Sequence, residues 1–274
     1  MTDKGRVVAI SGAGTGIGQV TAVSFAELGW DVVVGGRRTD KLEETRALVE
    51  QAGGRCLPHA LDVSDGESVE HFFAAAEAEL GTVTAVINNA ATARYGPLED
   101  FSPAEIELEV ATKLIGSLLM ARRGIIGMRG AEVEGDILFI TSASGATPWP
   151  YHLPYASSNA GIEQAARTLR VELEGSGIRV STLRCGETVG TDFSTRELET
   201  GRMSAVHEKW FDKGIMRHVG VMTPDVVATA ITTAVTLPRG VQYDLVVQPL
   251  APVGPLPTTY EEYITALMAS LMPS

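Results

Sequence analysis

The chain has 274 residues, 45% hydrophobic and 20% charged, which fits one α/β domain with a sizeable core rather than two small domains. Its formal net charge of −12, with lysines and arginines not gathered into a basic face, argues against nucleic acid and anionic membrane as partners. Two cysteines, Cys56 and Cys185, cannot build a disulfide framework of the secreted kind. The opening Met1-Thr2-Asp3-Lys4-Gly5-Arg6 runs straight into a strand and no apolar run reaches membrane length, so the expected compartment is the cytoplasm, with no metal site.

Short β-branched runs alternate with longer helical patterns. Val7 to Ile10, Asp31 to Val34, Thr84 to Ile87, Asp136 to Ile140, Ile178 to Leu183 and Tyr243 to Val247 read as buried strands, since such apolar runs suit a sheet covered on both faces. Arg55 to Val63 adds a less apolar one. A helix is expected from Gln19 to Leu28. Ser64-Asp65-Gly66-Glu67 and Ser102-Pro103-Ala104-Glu105 read as capping boxes, and Thr223-Pro224-Asp225 as an N-cap followed by proline in the first turn. The alternation predicts one α/β domain over residues 1–274, a doubly wound parallel sheet of about seven strands between two helical layers. In such a sheet, ligands sit beyond the carboxyl ends of the strands.

The first strand is followed by Ser11-Gly12-Ala13-Gly14-Thr15-Gly16-Ile17-Gly18. Glycines there let the chain turn, let a pyrophosphate approach the backbone and let a helix N-terminus aim its free N–H groups at that anion. The spacing is Gly-x-x-x-Gly-x-Gly, not the common Gly-x-Gly-x-x-Gly. Gly12, Thr15, Gly16, Ile17 and Gly18 are thus candidate cofactor contacts. The second strand ends Val34-Gly35-Gly36-Arg37-Arg38. A carboxylate there would bond the adenosine ribose and repel a 2′-phosphate, whereas Arg37 and Arg38 offer planar forks suited to phosphate, so NADP(H) is expected over NAD(H). Asp62-Val63 and Asn89-Ala90 are further cofactor candidates, although Asp and Asn also favour strand ends through ordinary turn chemistry.

The fifth strand ends at Ser142, and Tyr155 follows 13 residues later, opening the next helix. A hydroxyl that holds a carbonyl oxygen and a phenol that protonates it are what carbonyl reduction requires. Asn159 lies one turn beyond Tyr155 on the same helix face.

These motifs, in this order and nearly end to end, resemble the short-chain dehydrogenase/reductase superfamily: Thr-Gly-x-x-x-Gly-x-Gly, Asn-Asn-Ala-Gly, Ser with Tyr-x-x-x-Lys, and Pro-Gly after the sixth strand. The resemblance implies a Rossmann-like subunit, frequently tetrameric, with Tyr155 as acid/base and Ser142 orienting the carbonyl. It implies roles near the nicotinamide for Gly186, and for Thr188 or Thr191 at the carboxamide. Gly36 followed by Arg37 resembles NADP(H)-dependent members. Leu237-Pro238-Arg239-Gly240-Val241 to Gln248-Pro249 resembles members whose last strand leads into a C-terminal tail, here 249–274.

Five positions depart from the pattern. Ser11 replaces threonine, Ala91 replaces glycine, and Cys185 stands where proline precedes Gly186; Cys185 is expected to behave as a small buried hydrophobe. Asn159 stands where the family has lysine, while Lys113, in Lys113-Leu114-Ile115-Gly116, stands where it has asparagine. The resemblance therefore suggests an exchange, in which Lys113 lowers the Tyr155 pKa and Asn159 holds the ribose. Substrate walls are expected from 187–222 as a lid, Thr92 to Leu98 and Pro148 to Pro154, with Tyr95, Trp149, Tyr151 and His152 lining an apolar pocket and Trp210 and Phe211 packing the lid. His152 is a candidate aid to proton movement. The expected activity is NADP(H)-dependent carbonyl reduction or secondary-alcohol oxidation of a small molecule by a homo-oligomer. The alternatives are C=C or C=N reduction, or a catalytically silent NADP-binding sensor.

Overall fold

The computed structural model describes residues 5–193, 202–238, 240 and 243–271. Arg239 and Val241, residues 194–201 of the expected lid and residues 272–274 of the expected tail lie outside the described residues.

Strands β1 (Val7–Ser11), β2 (Asp31–Gly36), β3 (Cys56–Ala60), β4 (Val83–Asn88), β5 (Gly135–Ser142), β6 (Ile178–Cys185) and β7 (Asp244–Val247) form one parallel sheet in the order β3-β2-β1-β4-β5-β6-β7. This is the expected doubly wound, Rossmann-like sheet. The central strands are continuous apolar runs because both their faces are covered; β1 is buried throughout, whereas the edge strands β3 and β7 are half-exposed. Alternate side chains feed two cores. Val8 and Ile10 pack with α1 (Gly16–Glu27), α2 (Thr39–Gln51) and α8 (Pro224–Thr236); Val7 and Ala9 pack with α3 (Gly66–Glu79), α5 (Gly116–Gly130) and α6 (Leu153–Glu172). A third cluster, built on Tyr95, Trp210, Met216 and Tyr263, joins α7 (Arg202–Asp212) to the C-terminal helix α9 (Tyr260–Leu271). Among the described residues no helix is long and apolar enough to cross a membrane.

Several boundaries differ from expectation. Helix α1 starts at Gly16, three residues before Gln19, so the glycine run itself makes the first turn. Strand β3 stops at Ala60 because Asp62 turns the chain, its Oδ1 accepting from Ser64 N and Oγ. That bond draws Ser64 away, and Asp65 caps α3 by accepting from Glu67 N. The Ser102–Glu105 box forms as read, opening α4 (Pro103–Val110). Thr223 caps α8 by backbone position only, with no side-chain bond. Between α4 and α5 the rod continues through a π-turn, Ala111–Ile115. The extra residue in such a turn shifts everything after it around the helix axis, and Lys113 sits at its centre.

Helix α5 lies close on the sheet. A Cβ at Gly124 would stand 2.5 Å from Val86 Cγ2 and 3.4 Å from Ile137 Cδ1, whereas one at Gly130 would meet nothing within 4 Å. Gly124→Val should therefore destabilise by about 1–3 kcal/mol through overpacking, and Gly130→Ala should stabilise by about 0.5 kcal/mol. Urea denaturation checks both. Equal stability of Gly124→Val and the parent would show that α5 does not press on β4.

Candidate active site

A cleft of about 1320 Å³ runs across the carboxyl ends of the strands, from Arg37 to Met268. Its outer end is the β1–α1 loop. Gly12 has φ +66°, and a Cβ there would lie 2.9 Å from Ala90 Cα; one at Gly18 would lie 2.5 Å from the Gly12 carbonyl oxygen. Thr15 occupies the N-cap of α1 with extended backbone and no side-chain cap bond, and the first turn carries no acidic residue. The helix therefore keeps its N-terminal N–H groups and positive dipole end for an anion, and Gly12, Thr15, Gly16 and Ile17 line the cleft. These features fit a dinucleotide pyrophosphate.

Asn89 serves this loop directly. Its Nδ2 donates to the carbonyls of Ser11 and Gly12, 3.0 Å each, while Ser11 Oγ accepts from Asn89 N and Ala90 N at 3.1 Å. The amide thus clamps two strand ends together. Arg37 and Arg38 both line the cleft, but differently. Arg38 donates to Asp192 Oδ2 at 2.6 Å and Thr15 Oγ1 at 3.5 Å, whereas Arg37 has no hydrogen bond or ion pair among the described residues. The Asp62 carboxyl lies below its ordinary pKa because Ser64 donates to it, with a smaller contribution from Arg37. Val63 lines the cleft beside it.

At the inner end, β5 delivers Ser142 and α6 delivers Tyr155. Ser142 Oγ accepts from Ser144 N (3.3 Å) and Ser144 Oγ (3.1 Å), leaving its own proton for an outward acceptor. Burial pushes the Tyr155 phenol up to about 12; the side chains of Asn159 and then Ser142 pull it back, and Cys185 and Glu109 add to the rise. His152 stacks on Tyr155, centroids 4.5 Å apart and planes 11° apart. Burial holds its pKa down at about 3, so the ring is neutral at physiological pH. Its Nε2 is buried without a hydrogen-bond partner among the described residues.

Lys113 reaches the cleft wall from the π-turn but aims its ammonium elsewhere. Its side chain is 1% exposed and Nζ donates to the Ile140 carbonyl at 2.6 Å. Burial lowers its pKa to about 8, against a small rise from Cys185. Asn159 is 0% exposed, donates Nδ2 to the Tyr155 carbonyl at 2.9 Å, leaves Oδ1 unpaired among the described residues, and does not line the cleft. The amide, expected at a ribose, folds back on its own helix behind Tyr155.

Gly186, Thr188 and Thr191 all line the cleft. Thr188 Oγ1 donates to Gly186 O, while Thr191 packs on the phosphate loop, 3.0 Å from where a Cβ on Gly16 would stand. Tyr95, Trp149 and His152, the expected substrate wall, line one end of the cleft, with the Tyr95 and His152 rings 4.5 Å apart. Trp210, expected only to pack the lid, lines the cleft too, its Nε1 held by Pro150 O. Phe211 packs on Tyr260 and Tyr263.

Two contributions escaped sequence reasoning. Helix α9 lends Tyr260, Ile264, Leu267 and Met268 to the cleft, and their spacing is a legible helical stripe. Glu163, two turns beyond Tyr155, accepts from Arg184 at 2.9 and 2.6 Å and from Thr141 Oγ1 at 3.1 Å. One carboxylate thereby ties together the segments bearing Ser142, Tyr155 and Gly186. No local pattern announces a bond between residues so far apart in sequence.

Comparison with known proteins agrees with this arrangement. A family model described as short chain dehydrogenase matches residues 6–201. The chain is 30% identical over 228 residues, 83% of its length and 85% of the relative's, to 3beta-hydroxysteroid dehydrogenase 1 of Eggerthella lenta. It is also 30% identical, over 91% of its length, to Probable oxidoreductase EphD of Mycobacterium tuberculosis, of which it spans 41%. An alcohol dehydrogenase from the archaeon Thermococcus sibiricus, solved in complex with 5-hydroxy-NADP, matches with a TM-score of 0.74 at 25% identity over 91% of this chain and 99% of that one. The chain belongs to the short-chain dehydrogenase/reductase family, oxidoreductases that use NAD(P) cofactors.

Proposed function

We propose that this protein is an NADP(H)-dependent oxidoreductase that reduces a carbonyl, or oxidises the corresponding secondary alcohol, with Tyr155 as the acid/base. The observation that carries the reading is the placement of Ser142 and a neutral Tyr155 phenol at one end of a cleft whose other end is an uncapped helix terminus. The nicotinamide cofactor supplies or accepts a hydride there. Tyr155 keeps its proton until a substrate oxygen develops negative charge, because burial disfavours the phenolate. Ser142, already an acceptor from Ser144, turns its hydroxyl proton toward that oxygen. His152 fixes the plane of the Tyr155 ring, and the wall of Tyr95, Trp149 and Trp210 keeps water from the reacting carbon. The substrate is a small molecule. The exposed side chains Leu108, Ile115, Leu118 and Ile126 along the α4–α5 rod support self-association.

NADP(H) is favoured by Arg37, whose guanidinium is unengaged among the described residues, and by a β2 end without a carboxylate. The Thermococcus sibiricus relative, solved with an NADP derivative, points the same way. NADPH should bind at least about tenfold tighter than NADH, roughly one charge-assisted contact, and Arg37→Asp should reverse the order. Equal calorimetric affinities in the unaltered protein would exclude the assignment.

A silent NADP-binding reading draws on one observation: the Lys113 ammonium donates to the Ile140 carbonyl, while burial holds the Tyr155 phenol up at about 12. Turnover decides between them. NADPH oxidation with a panel of ketones, enones and imines should show carbonyl reduction, and Tyr155→Phe should lower kcat at least about 10²-fold with cofactor affinity near the parent's. NADPH binding without turnover of any substrate would favour the sensor.

Lys113 has separable effects on stability and rate. Its pKa in the folded protein, about 8, lies below the ordinary 10.5. Below pH 8 the buried charge is destabilising in full; between about 8 and 10.5 the unfolded chain binds more protons, so this penalty disappears as pH rises. Lys113→Met should thus stabilise by about 1–2 kcal/mol at pH 7, after losing the bond to Ile140, and the advantage should shrink toward pH 10. Lys113 also forms part of the cleft wall, bonded to the strand that ends in Ser142, so activity should break near pH 8 in the parent and not in Lys113→Met, which should be slower. A variant with the parent's rate and pH profile would make Lys113 a bystander.

A further inference from the structure

Three acidic side chains line the cleft, and two are engaged. Asp62 accepts from Ser64, and Asp192 pairs with Arg38. Glu187 makes no side-chain hydrogen bond or ion pair among the described residues. Its backbone is nevertheless firmly held. Gly186 N donates to Val247 O, Met222 N to Glu187 O, and Val189 N to Met222 O, with Thr188 bridged to Met222. The carboxyl is thus presented from a fixed strap, not from a loose loop.

Its surroundings place it toward the substrate rather than the phosphates. The Glu187 charge contributes to the raised pKa of Tyr263 on α9, and the same helix lines the cleft through Tyr260, Ile264 and Leu267. Burial pushes the Glu187 carboxyl up to about 7, so its ionised form is costly while it stands alone. A carboxylate in aromatic and apolar walls recovers that cost only when a cation reaches it. The aromatic residues Trp149, Trp210 and Tyr260 line the same cleft, and aromatic rings are favourable neighbours for a cationic nitrogen. A second polar atom, His152 Nε2, is buried without a partner among the described residues, so this pocket has more hydrogen-bonding capacity than the protein itself uses.

Resting on the carbonyl-reductase reading above, we propose that Glu187 anchors a protonated amine of the substrate, making the substrate an amino-substituted ketone on an apolar or aromatic framework, or the matching amino alcohol. In reduction the hydride adds to the carbonyl carbon and Tyr155 gives its proton to the oxygen. The nitrogen takes no part in bond making.

The test compares three aryl ketones of equal length, bearing an aminoalkyl, a hydroxyalkyl or a plain alkyl chain, with the parent, Glu187→Gln and Glu187→Asp. NADPH oxidation is followed, and calorimetry reads binding of the matching arylalkylamine to the NADP⁺-loaded protein and of NADPH to the free protein. The parent should prefer the amino ketone over the alkyl ketone by at least about tenfold in kcat/KM, the worth of one charge-assisted contact. Glu187→Gln should collapse that ratio and weaken amine binding to a similar degree, with Glu187→Asp intermediate. An unchanged ratio in Glu187→Gln, an equal preference for the hydroxy ketone, or a loss confined to NADPH affinity would overturn the proposal, the last assigning the carboxyl to the cofactor. Turnover of the alkyl ketone without amine preference would overturn this inference alone. With no ketone turned over, the carbonyl reading fails, and an amine titration identical in the parent and Glu187→Gln overturns this inference as well.

Discussion

Strand order reverses between β1 and β4, so the loops leaving them diverge from one crevice, and the Asn89 amide holds its two lips together by bonding the carbonyls of Ser11 and Gly12. The approach is so close that neither Gly12 nor Gly18 has room for a side chain. With the loop fixed, α1 points its uncapped terminus into the crevice, and every other cleft residue takes its position relative to that terminus. Two side chains give the crevice rigidity: Asn89, and Ser11, whose hydroxyl accepts from both Asn89 N and Ala90 N. Their contribution is to preorganise donors that an anion would otherwise have to order itself.

At the inner end, a buried cation stands in for a buried amide. Lys113 reaches the cleft wall through a π-turn, and its ammonium donates to a main-chain carbonyl of the strand that ends in Ser142. Holding an ammonium there costs stability. What it offers is a positive group beside the strand end, able to lose its proton near pH 8, in a site where burial alone would leave the phenol far up the scale. Asn159 takes the position behind Tyr155 and acts on the phenol through a dipole rather than a charge. A dipole shifts a pKa less than a nearby cation does, and burial keeps this phenol protonated.

Features that depend on local pattern were legible in the sequence. The buried strands appear as apolar runs, the phosphate loop as glycines between strand and helix, and the Ser142 and Tyr155 pair as a fixed spacing; strand ends ran past expectation by a residue or two because glycine, serine and cysteine continue a ladder without being apolar. Features that depend on competition between polar groups were not. Ser64 is as good a cap as Asp65 on paper, but Asp62 captures its hydroxyl. Asn159 shares a face with Tyr155, yet whether its amide looks outward or back along the helix is settled by a bond to a carbonyl four residues earlier. The π-turn has no composition of its own, and the Glu163–Arg184–Thr141 tie spans three elements.

The two halves of the cleft are built on different physical grounds. The cofactor half comes from strand ends and a helix terminus, so its polar groups are fixed by the sheet itself. The substrate half comes from the segments around Tyr95 and Trp149 and from α7 and α9, which bury their aromatic rings against one another in a cluster separate from both sheet cores. That cluster has its own contacts, Tyr95 on His152, Trp149 on Trp210 and Phe211 on Tyr263, and so can be repacked without disturbing the phosphate cradle. His152 is where the halves meet, stacked on Tyr155 and in tilted contact with Tyr95. A change in the substrate wall therefore reaches the acid by tilting a ring, not by altering a charge, since the imidazole carries none at physiological pH.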